Sequence, residues 1–235
     1  MKTGRTLAVS VISSLLALAA PTAASASTAR ANITPTIPPA PTAATVMHGV
    51  LDECSAAYFD GDARLGPAQL PFFGPVGFEL LGYRRTGALT PQQFLAKYYN
   101  PTANGGAGGW IYPPDNGYVI GPHGQPIEWA QTLAAGQQID RYGSEFGSFL
   151  APARSPYSSR SIPPQNLDGT PAAGCNYHDY KVLKPFRVDA GPVAPWFAQP
   201  GFGLQYQLDA ALVPGGPTTV NVLWLVNNGY LARVS

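Results

Sequence analysis

Three arginines fall within a short stretch of the chain that holds few other charges. The stretch 140–163, DRYGSEFGSFLAPARSPYSSRSIP, contains Arg141, Arg154 and Arg160, with Asp140 and Glu145 as its acidic residues. Only 11% of all residues are charged, so such a cluster needs an explanation. Guanidinium groups bind phosphate or carboxylate through paired hydrogen bonds, which favours an anionic ligand. The alternative is that these side chains only keep surface loops soluble.

A second stretch combines rigid backbone with aromatic side chains. Residues 191–206, GPVAPWFAQPGFGLQY, hold three prolines and three glycines around Trp196, Phe197 and Phe202. The stretch leads into the alternating run LQYQL, which predicts a strand with Leu204 and Tyr206 on one face. Gln205 then points to the opposite face, away from the apolar side.

Other catalytic arrangements are missing from the sequence. No glutamate follows Glu145, so the late Glu-x-Glu pair of one class of ADP-ribosyltransferase is absent. The three histidines are scattered, and no Cys-x-x-Cys or Gly-x-Ser-x-Gly motif occurs, which argues against a metal site or a serine nucleophile. Residue types and spacing alone therefore indicate an arginine-rich, aromatic-lined cleft for an anionic ligand.

The N-terminus predicts secretion. Lys2 and Arg5 precede an apolar run over 7–20, and the Ala24-Ser25-Ala26 site follows, so residues 1–26 read as a signal peptide. Residues 27–46 are rich in Pro, Ala and Thr and read as a linker. We expect an N-terminal subregion over 47–79 and the catalytic domain over 80–235, with no membrane span. The 14 basic and 13 acidic residues nearly balance, which argues against a nucleic-acid partner.

The two cysteines predict a disulfide. Cys54 and Cys175 are the only cysteines, and an oxidising compartment favours their pairing over metal binding. The bond would close a loop of about 120 residues, which the chain-entropy model credits with about 4 to 5 kcal/mol.

The predicted fold class is α+β: one β-rich domain with a twisted antiparallel or mixed sheet, few short helices and long loops. The 26 glycines and 25 prolines are spread along the chain, which keeps helices short. A Thr90-Pro91 start with Gln93 predicts a helix that ends before Asn100-Pro101. The other expected elements are a weaker helix over 126–134, strands over 78–85, 138–142, 177–188 and 204–208, and a hairpin joining 218–226 to 229–234 through Asn228-Gly229.

The order of several motifs resembles one known family. GWIYPPDNGY at 109–118, GQQIDRYGSEFGSFLAP at 136–152, SSRSIPP at 158–164, NYHDYKV at 176–182 and the 191–206 stretch follow one another. In this order they are similar to the tuberculosis necrotizing toxin (TNT) family of secreted NAD glycohydrolases, over roughly residues 80–234. The resemblance implies a TNT-like fold and hydrolysis of the nicotinamide–ribose bond of NAD or NADP, with no cofactor.

The resemblance also assigns roles to individual residues. It implies that Arg141 and Arg160 hold the phosphates of the dinucleotide and that Gln205 lies at the scissile ribose. Nicotinamide is already a cationic leaving group, so a neutral amide that orients the ribose suits the reaction.

Further substrate contacts are expected around these three residues. Trp196 and Phe197 are expected to form an apolar wall or part of the core, and Tyr142 and Phe146 to stack on a ring of the substrate. His178 is the position nearest to a histidine that some family members use.

Partners and rival functions stay open in the sequence. Fungal family members bind calcium and dimerise, but no calcium-ligand pattern transfers, so no metal is assigned. A homodimer and a protective inhibitor protein are left open as partners, as is the choice between NAD and NADP. The rival functions are an ADP-ribosyltransferase and a non-catalytic secreted module that binds a surface.

Overall fold

The computed structural model of the chain describes residues 52–213 and 215–234. The predicted signal peptide, the linker and the first five residues of the predicted N-terminal subregion lie outside the described residues. Among the described residues, no helix is both long enough and apolar enough to cross a bilayer.

An antiparallel sheet forms the centre of the fold. A two-stranded ladder precedes it, β1 (Tyr99–Asn100) with β2 (Gly109–Trp110). The seven strands of the main sheet are β3 (Trp129–Leu133), β4 (Gln138–Tyr142), β5 (Phe149–Pro152), β6 (Tyr177–Val182), β7 (Phe186–Pro192), β8 (Leu204–Gln207) and β9 (Leu231–Arg233). Their spatial order is β3-β7-β8-β5-β4-β6-β9. The β-rich α+β prediction is confirmed, and every strand pair is antiparallel.

The alternation of β8 decides which side of the sheet carries polar groups. Tyr206 is 2% exposed and Leu208 is 5% exposed in the main core, with Leu204 packed against the same core. Gln205 therefore projects from the other face, as predicted, because successive side chains of a strand alternate.

Strands β4 and β5 pair over only two residues each and then separate. Their pairing covers only Ile139 with Pro152 and Asp140 with Ala151. Beyond Asp140, β4 continues along β6, whereas Phe149 of β5 pairs with β8. The sheet is consequently open between the end of β4 and the start of β5, and the segment 143–148 connects the two strands around this opening.

Within the described part of the chain, three α-helices accompany the sheet: α1 (Gly74–Glu79), α2 (Pro91–Tyr98) and α3 (Val222–Asn227). Helix α2 confirms its prediction, since the Thr90 and Gln93 side chains each accept a hydrogen bond from the other residue's backbone N–H.

The predicted C-terminal hairpin is wrong in its first half. Residues 222–227 form α3, whose N-terminus is capped by Asn221 through a 2.8 Å bond from the Trp224 N–H to Oδ1. Gly229, with φ of 68°, ends this helix instead of turning a hairpin. The apolar run is compatible with either structure, and the cap together with burial of Val222 and Leu225 decides for helix.

Three other element predictions need correction. The expected helix over 126–134 is strand β3, because all five of its residues pair with β7. The expected strand over 78–85 begins inside α1 and continues as turns. The expected strand over 177–188 divides at 183–185 into β6 and β7, which lie in different parts of the sheet.

The disulfide joins the N-terminal part of the described chain to the loop before β6. The Cys54–Cys175 bond is present, and the predicted pairing is confirmed. Both cysteines are buried in a cluster with Leu80, Tyr142 and Tyr157, separate from the main core. This cluster fastens the segment around α1 to the face of β4.

Candidate active site

The opening between β4 and β5 contains a cavity of about 620 Å³. Arg141, Arg160 and Gln205 all line it, so residues spread over 65 positions of the sequence share one site. The other walls come from the 112–117 loop, from 147–151 and from 160–166.

Arg141 extends from the end of β4 into this cavity. Its Nε donates to the Ser144 carbonyl and its Nη1 to the Phe149 carbonyl, both at 2.7 Å. Among the described residues Nη2 has no hydrogen-bond acceptor. Burial lowers the pKa of Arg141, but an arginine keeps its charge at neutral pH. The guanidinium is thus fixed by two carbonyls and keeps one edge for a ligand.

Gly147 provides the space in which this guanidinium lies. A Cβ at position 147 would come within 2.0 Å of Arg141 Nη2. No other side chain fits here without displacing the arginine, because such separations are far below van der Waals contact.

Gln205 is held by the loop that covers the far side of the cavity. Its Nε2 donates to the Asn116 carbonyl at 3.0 Å. Asp115, Asn116 and Gly117 all have positive φ, from 52° to 80°, which turns the loop toward β8. An amide has two N–H groups and two acceptor lone pairs, so the carboxamide keeps hydrogen-bonding capacity for a ligand after this contact.

Arg160 lines the same cavity but is bound mainly to carboxylates. It is 8% exposed, and its Nη1 and Nη2 donate to Asp140 at 2.5 and 2.9 Å. Nη2 also donates to Glu79 at 2.9 Å, and the Ser155 carbonyl accepts from Nε and Nη2. Burial alone would lower the pKa of Arg160, but the two carboxylates outweigh it and raise the pKa. One N–H of Nη1 has no acceptor among the described residues, so phosphate binding through Arg160 stays a prediction.

The two residues that were expected to stack on a substrate ring, Tyr142 and Phe146, lie in different surroundings. Tyr142 is 2% exposed, and its ring packs against Tyr157, Tyr177 and the Arg160 guanidinium, so no face is left for a substrate ring. Phe146 is 73% exposed in the turn before β5 and does not line the cavity. Tyr142 is nevertheless one of the residues that line the cavity.

For Trp196 and Phe197 the structure favours the second of the two expected placements, part of the core. Phe197 is fully buried in a third cluster, with its ring against Tyr98, Trp110 and Tyr112. Trp196 packs on Tyr98 and donates from Nε1 to the Ile111 carbonyl at 2.7 Å. Both residues belong to a core that carries the 109–118 loop, and neither lines the cavity.

His178 lies beside Arg141 without lining the cavity. The two residues are opposite each other in the β4–β6 ladder. The His178 Nε2 lies 3.3 Å from Asn176 Oδ1, and burial lowers the pKa of the imidazole. The His178 ring lies stacked with the Tyr180 ring at a centroid distance of 6.4 Å, and its role at the substrate stays a prediction.

Two aromatic residues at the cavity were missed by the residue-type argument. Tyr112 is 58% exposed and Phe149 is 36% exposed, and both line the cavity. Each sits inside a motif that carried the family resemblance, which was the available signal. Among the described residues, no three His, Cys, Asp or Glu side chains gather as a metal site requires.

The chain is a sheet-rich domain with a cavity that is lined by a fixed guanidinium and an oriented carboxamide. The family profile described as tuberculosis necrotizing toxin matches residues 132–234. The chain is 46% identical over 178 residues to the conidial surface nicotinamide adenine dinucleotide glycohydrolase of Aspergillus fumigatus. That alignment covers 75% of this chain and 71% of the relative. The chain belongs to the tuberculosis necrotizing toxin family.

One solved structure gives a weaker comparison. The tuberculosis necrotizing toxin complexed with its immunity factor matches with a TM-score of 0.45 and 21% identity. The match covers 75% of this chain and 79% of that one.

Proposed function

We propose that this protein is a secreted NAD(P)⁺ glycohydrolase that cleaves the bond between nicotinamide and ribose. The supporting observation is that Arg141 and Gln205 line one cavity, each with polar atoms left for a ligand. Together with 46% identity to a fungal NAD glycohydrolase, this arrangement favours a dinucleotide whose pyrophosphate meets the arginine and whose ribose meets the amide.

The reaction uses these groups for binding and orientation. Arg141 Nη2, with the remaining N–H of Arg160, would hold the pyrophosphate, and Gln205 would hold a ribose hydroxyl or the attacking water. The oxygen of water bonds to the anomeric carbon, the N-glycosidic bond breaks, and its electron pair passes to the nicotinamide ring nitrogen. The proton of the water is released to solvent. Nicotinamide leaves as a neutral molecule, so no strong general acid and no cofactor is required.

The aromatic contacts are reassigned to the residues that line the cavity. Tyr112 and Phe149 present ring surface where an apolar base could pack. A cavity of about 620 Å³ falls within the usual size range of small-molecule sites.

The setting and partners follow from the family and the N-terminus. The protein is proposed to act outside the cell or at its surface, where the disulfide is stable. An inhibitor protein, a homodimer and a preference between NAD and NADP stay predictions.

Release of nicotinamide from NAD⁺ by the purified protein, followed by chromatography, tests the proposal. We expect nicotinamide and ADP-ribose in equal amounts. Absence of release at micromolar protein would contradict the proposal, and ADP-ribose attached to an added acceptor protein would favour a transferase instead. Gln207→Ala is a matched control, since Gln207 lies on the same strand and face as Gln205 but outside the main cavity.

A further inference from the structure

A buried glutamate from α1 reaches the wall of the proposed active site. Glu79 is 3% exposed, and its Oε2 accepts from the Tyr142 hydroxyl at 3.0 Å and from Arg160 Nη2 at 2.9 Å. Its Oε1 is buried without a hydrogen-bond partner. A carboxylate with one buried, unpartnered oxygen is costly, so its retention here calls for a role.

Arg160 is held from two directions as a result. Asp140 of β4 binds Nη1 and Nη2 on one side, and Glu79 binds Nη2 from α1. Asp140 also accepts from the Arg154 backbone N–H and the Tyr177 hydroxyl, so its own position is fixed. Removing Glu79 would leave Arg160 anchored by Asp140 and Ser155 alone, with an empty space beside the guanidinium.

We propose that Glu79 is a positioning residue that holds Arg160 at the cavity wall and whose charge state sets the charge presented there to an anionic substrate. The inference rests on the proposed function and adds a residue to it. Glu79 lies outside the segment 132–234 that matches the family profile. The N-terminal subregion, tied down by the Cys54–Cys175 bond, would thus be part of the active site and not only a support.

The charge of this cluster can change near neutral pH. The groups that face Glu79 are Arg160, Asp140, Tyr142 and Tyr177. Burial raises the pKa of Glu79 to about 7, with Arg160 acting against the shift and Asp140 adding to it. Arg160, Asp140 and a protonated Glu79 sum to zero charge, whereas an ionised Glu79 leaves one negative charge. The wall should therefore repel a pyrophosphate more at pH 8 than at pH 6.

The pH arm of the test compares the wild-type protein with Glu79→Gln, which keeps the shape and removes the charge. KM for NAD⁺ is measured by nicotinamide release at pH 6 and pH 8. We expect the wild-type KM to rise about five- to tenfold between these values, the effect of one added charge at a partly screened site. The Glu79→Gln KM should stay flat and equal the wild-type value at pH 6. The same rise in Glu79→Gln would overturn the proposal.

The positioning arm uses Glu79→Ala and two readouts. KM should increase about tenfold, because Arg160 loses one charge-assisted hydrogen bond that orients it. The effect on kcat should be smaller. The NMR resonance of the Arg160 Nε proton is assigned by its absence in Arg160→Lys. This proton should exchange with water faster in Glu79→Ala than in wild type. Glu79→Gln should restore both at pH 6. An unchanged resonance with wild-type KM in a folded Glu79→Ala protein would overturn the role.

The NMR readout separates this inference from the function on which it rests. If the wild-type protein releases no nicotinamide at any pH, the proposed function fails. The Arg160 resonance should still shift between pH 6 and pH 8 in wild type and not in Glu79→Gln. A shift in both proteins, or in neither, would reject Glu79 as the titrating partner of Arg160.

Discussion

The side chain of Gln205 and the backbone carbonyl of Asn116 are joined by a 3.0 Å hydrogen bond across 89 positions of sequence. The bond fixes which end of the carboxamide is the donor at this contact, because only the nitrogen can reach the carbonyl as a hydrogen-bond donor. The Ala194 N–H donates to the Gly117 carbonyl at 2.8 Å, so the loop that orients Gln205 is itself tied to the segment before β8.

Gln205→Glu is expected to abolish nicotinamide release while the protein stays folded. A carboxylate cannot donate to the Asn116 carbonyl, so the side chain loses the contact that orients it toward the proposed position of the ribose. We expect a loss of kcat of about 100-fold or more, the scale seen when an oriented polar group is removed from a reacting centre. Steady-state kinetics and circular dichroism measure the two effects, with Gln207→Ala as the control. Normal kcat in Gln205→Glu would remove the assigned role.

Gly147→Ala is expected to act on Arg141 alone. The added Cβ would lie within 2.0 Å of Nη2, and the arginine side chain can move away more easily than the backbone. KM for NAD⁺ should rise about tenfold with little change in the melting temperature, because one charge-assisted contact is misplaced. Gly174→Ala is the matched control, since a Cβ there meets nothing within 4 Å. An unchanged KM in Gly147→Ala would show that Arg141 does not bind the substrate.

Phe197→Ala tests the reassignment of the aromatic stretch to the core. Phe197 is fully buried, so its truncation should lower the free energy of unfolding by about 3 to 5 kcal/mol. Phe202, in the same stretch, is 66% exposed, and Phe202→Ala should change stability by no more than about 0.5 kcal/mol. Urea denaturation measures both. A stable Phe197→Ala protein with a raised KM would instead return Phe197 to the ligand wall.

Asp168→Asn is expected to stabilise the protein above pH 6. Burial raises the pKa of Asp168 to about 6, with Arg85 acting in the opposite direction, and its Oδ1 is buried without a partner. The folded protein holds this proton more tightly than the unfolded chain, so the stability it contributes is lost as pH rises from about 4 to about 6. Thermal melts should show a higher Tm for Asp168→Asn at pH 7.5 and no difference near pH 4. Equal melting temperatures at both pH values would contradict the shift.

Local rules predicted the elements whose signals lie within a few residues. The Thr90 and Gln93 caps defined the start of α2, and strict alternation defined β8 and the outward direction of Gln205. Strand β4 has the predicted bounds, Gln138–Tyr142. The same rules failed for residues 218–226, because an apolar run rich in Val and Leu fits both the strand period and the helix period. The Asn221 cap and the burial of one helix face in the core decide for a helix.

In the candidate site, too, the sequence predicted residue identities, whereas the structure was needed to place the side chains. Residue types alone pointed to a cluster of arginines and one isolated amide, and the family resemblance selected Arg141, Arg160 and Gln205 from them. The structure brings these three to one cavity, yet it places Phe197 in a core and covers the Tyr142 ring. A sequence of aromatic residues does not reveal which rings pack against each other and which face a ligand.

The sequence by itself determined the paired cysteines and the β-rich class, since these depend on composition and on the cysteine count. It also predicted a secretory start and the residues able to bind an anion, from composition, short spacings and the family resemblance. Only the tertiary structure decided that Glu79 meets Arg160 across 81 positions and that Arg141 keeps a free edge while Arg160 is largely neutralised. The physical reason is that burial and charge pairing depend on which distant segments pack together, and here the segment around α1 packs on β4 beside the Cys54–Cys175 bond.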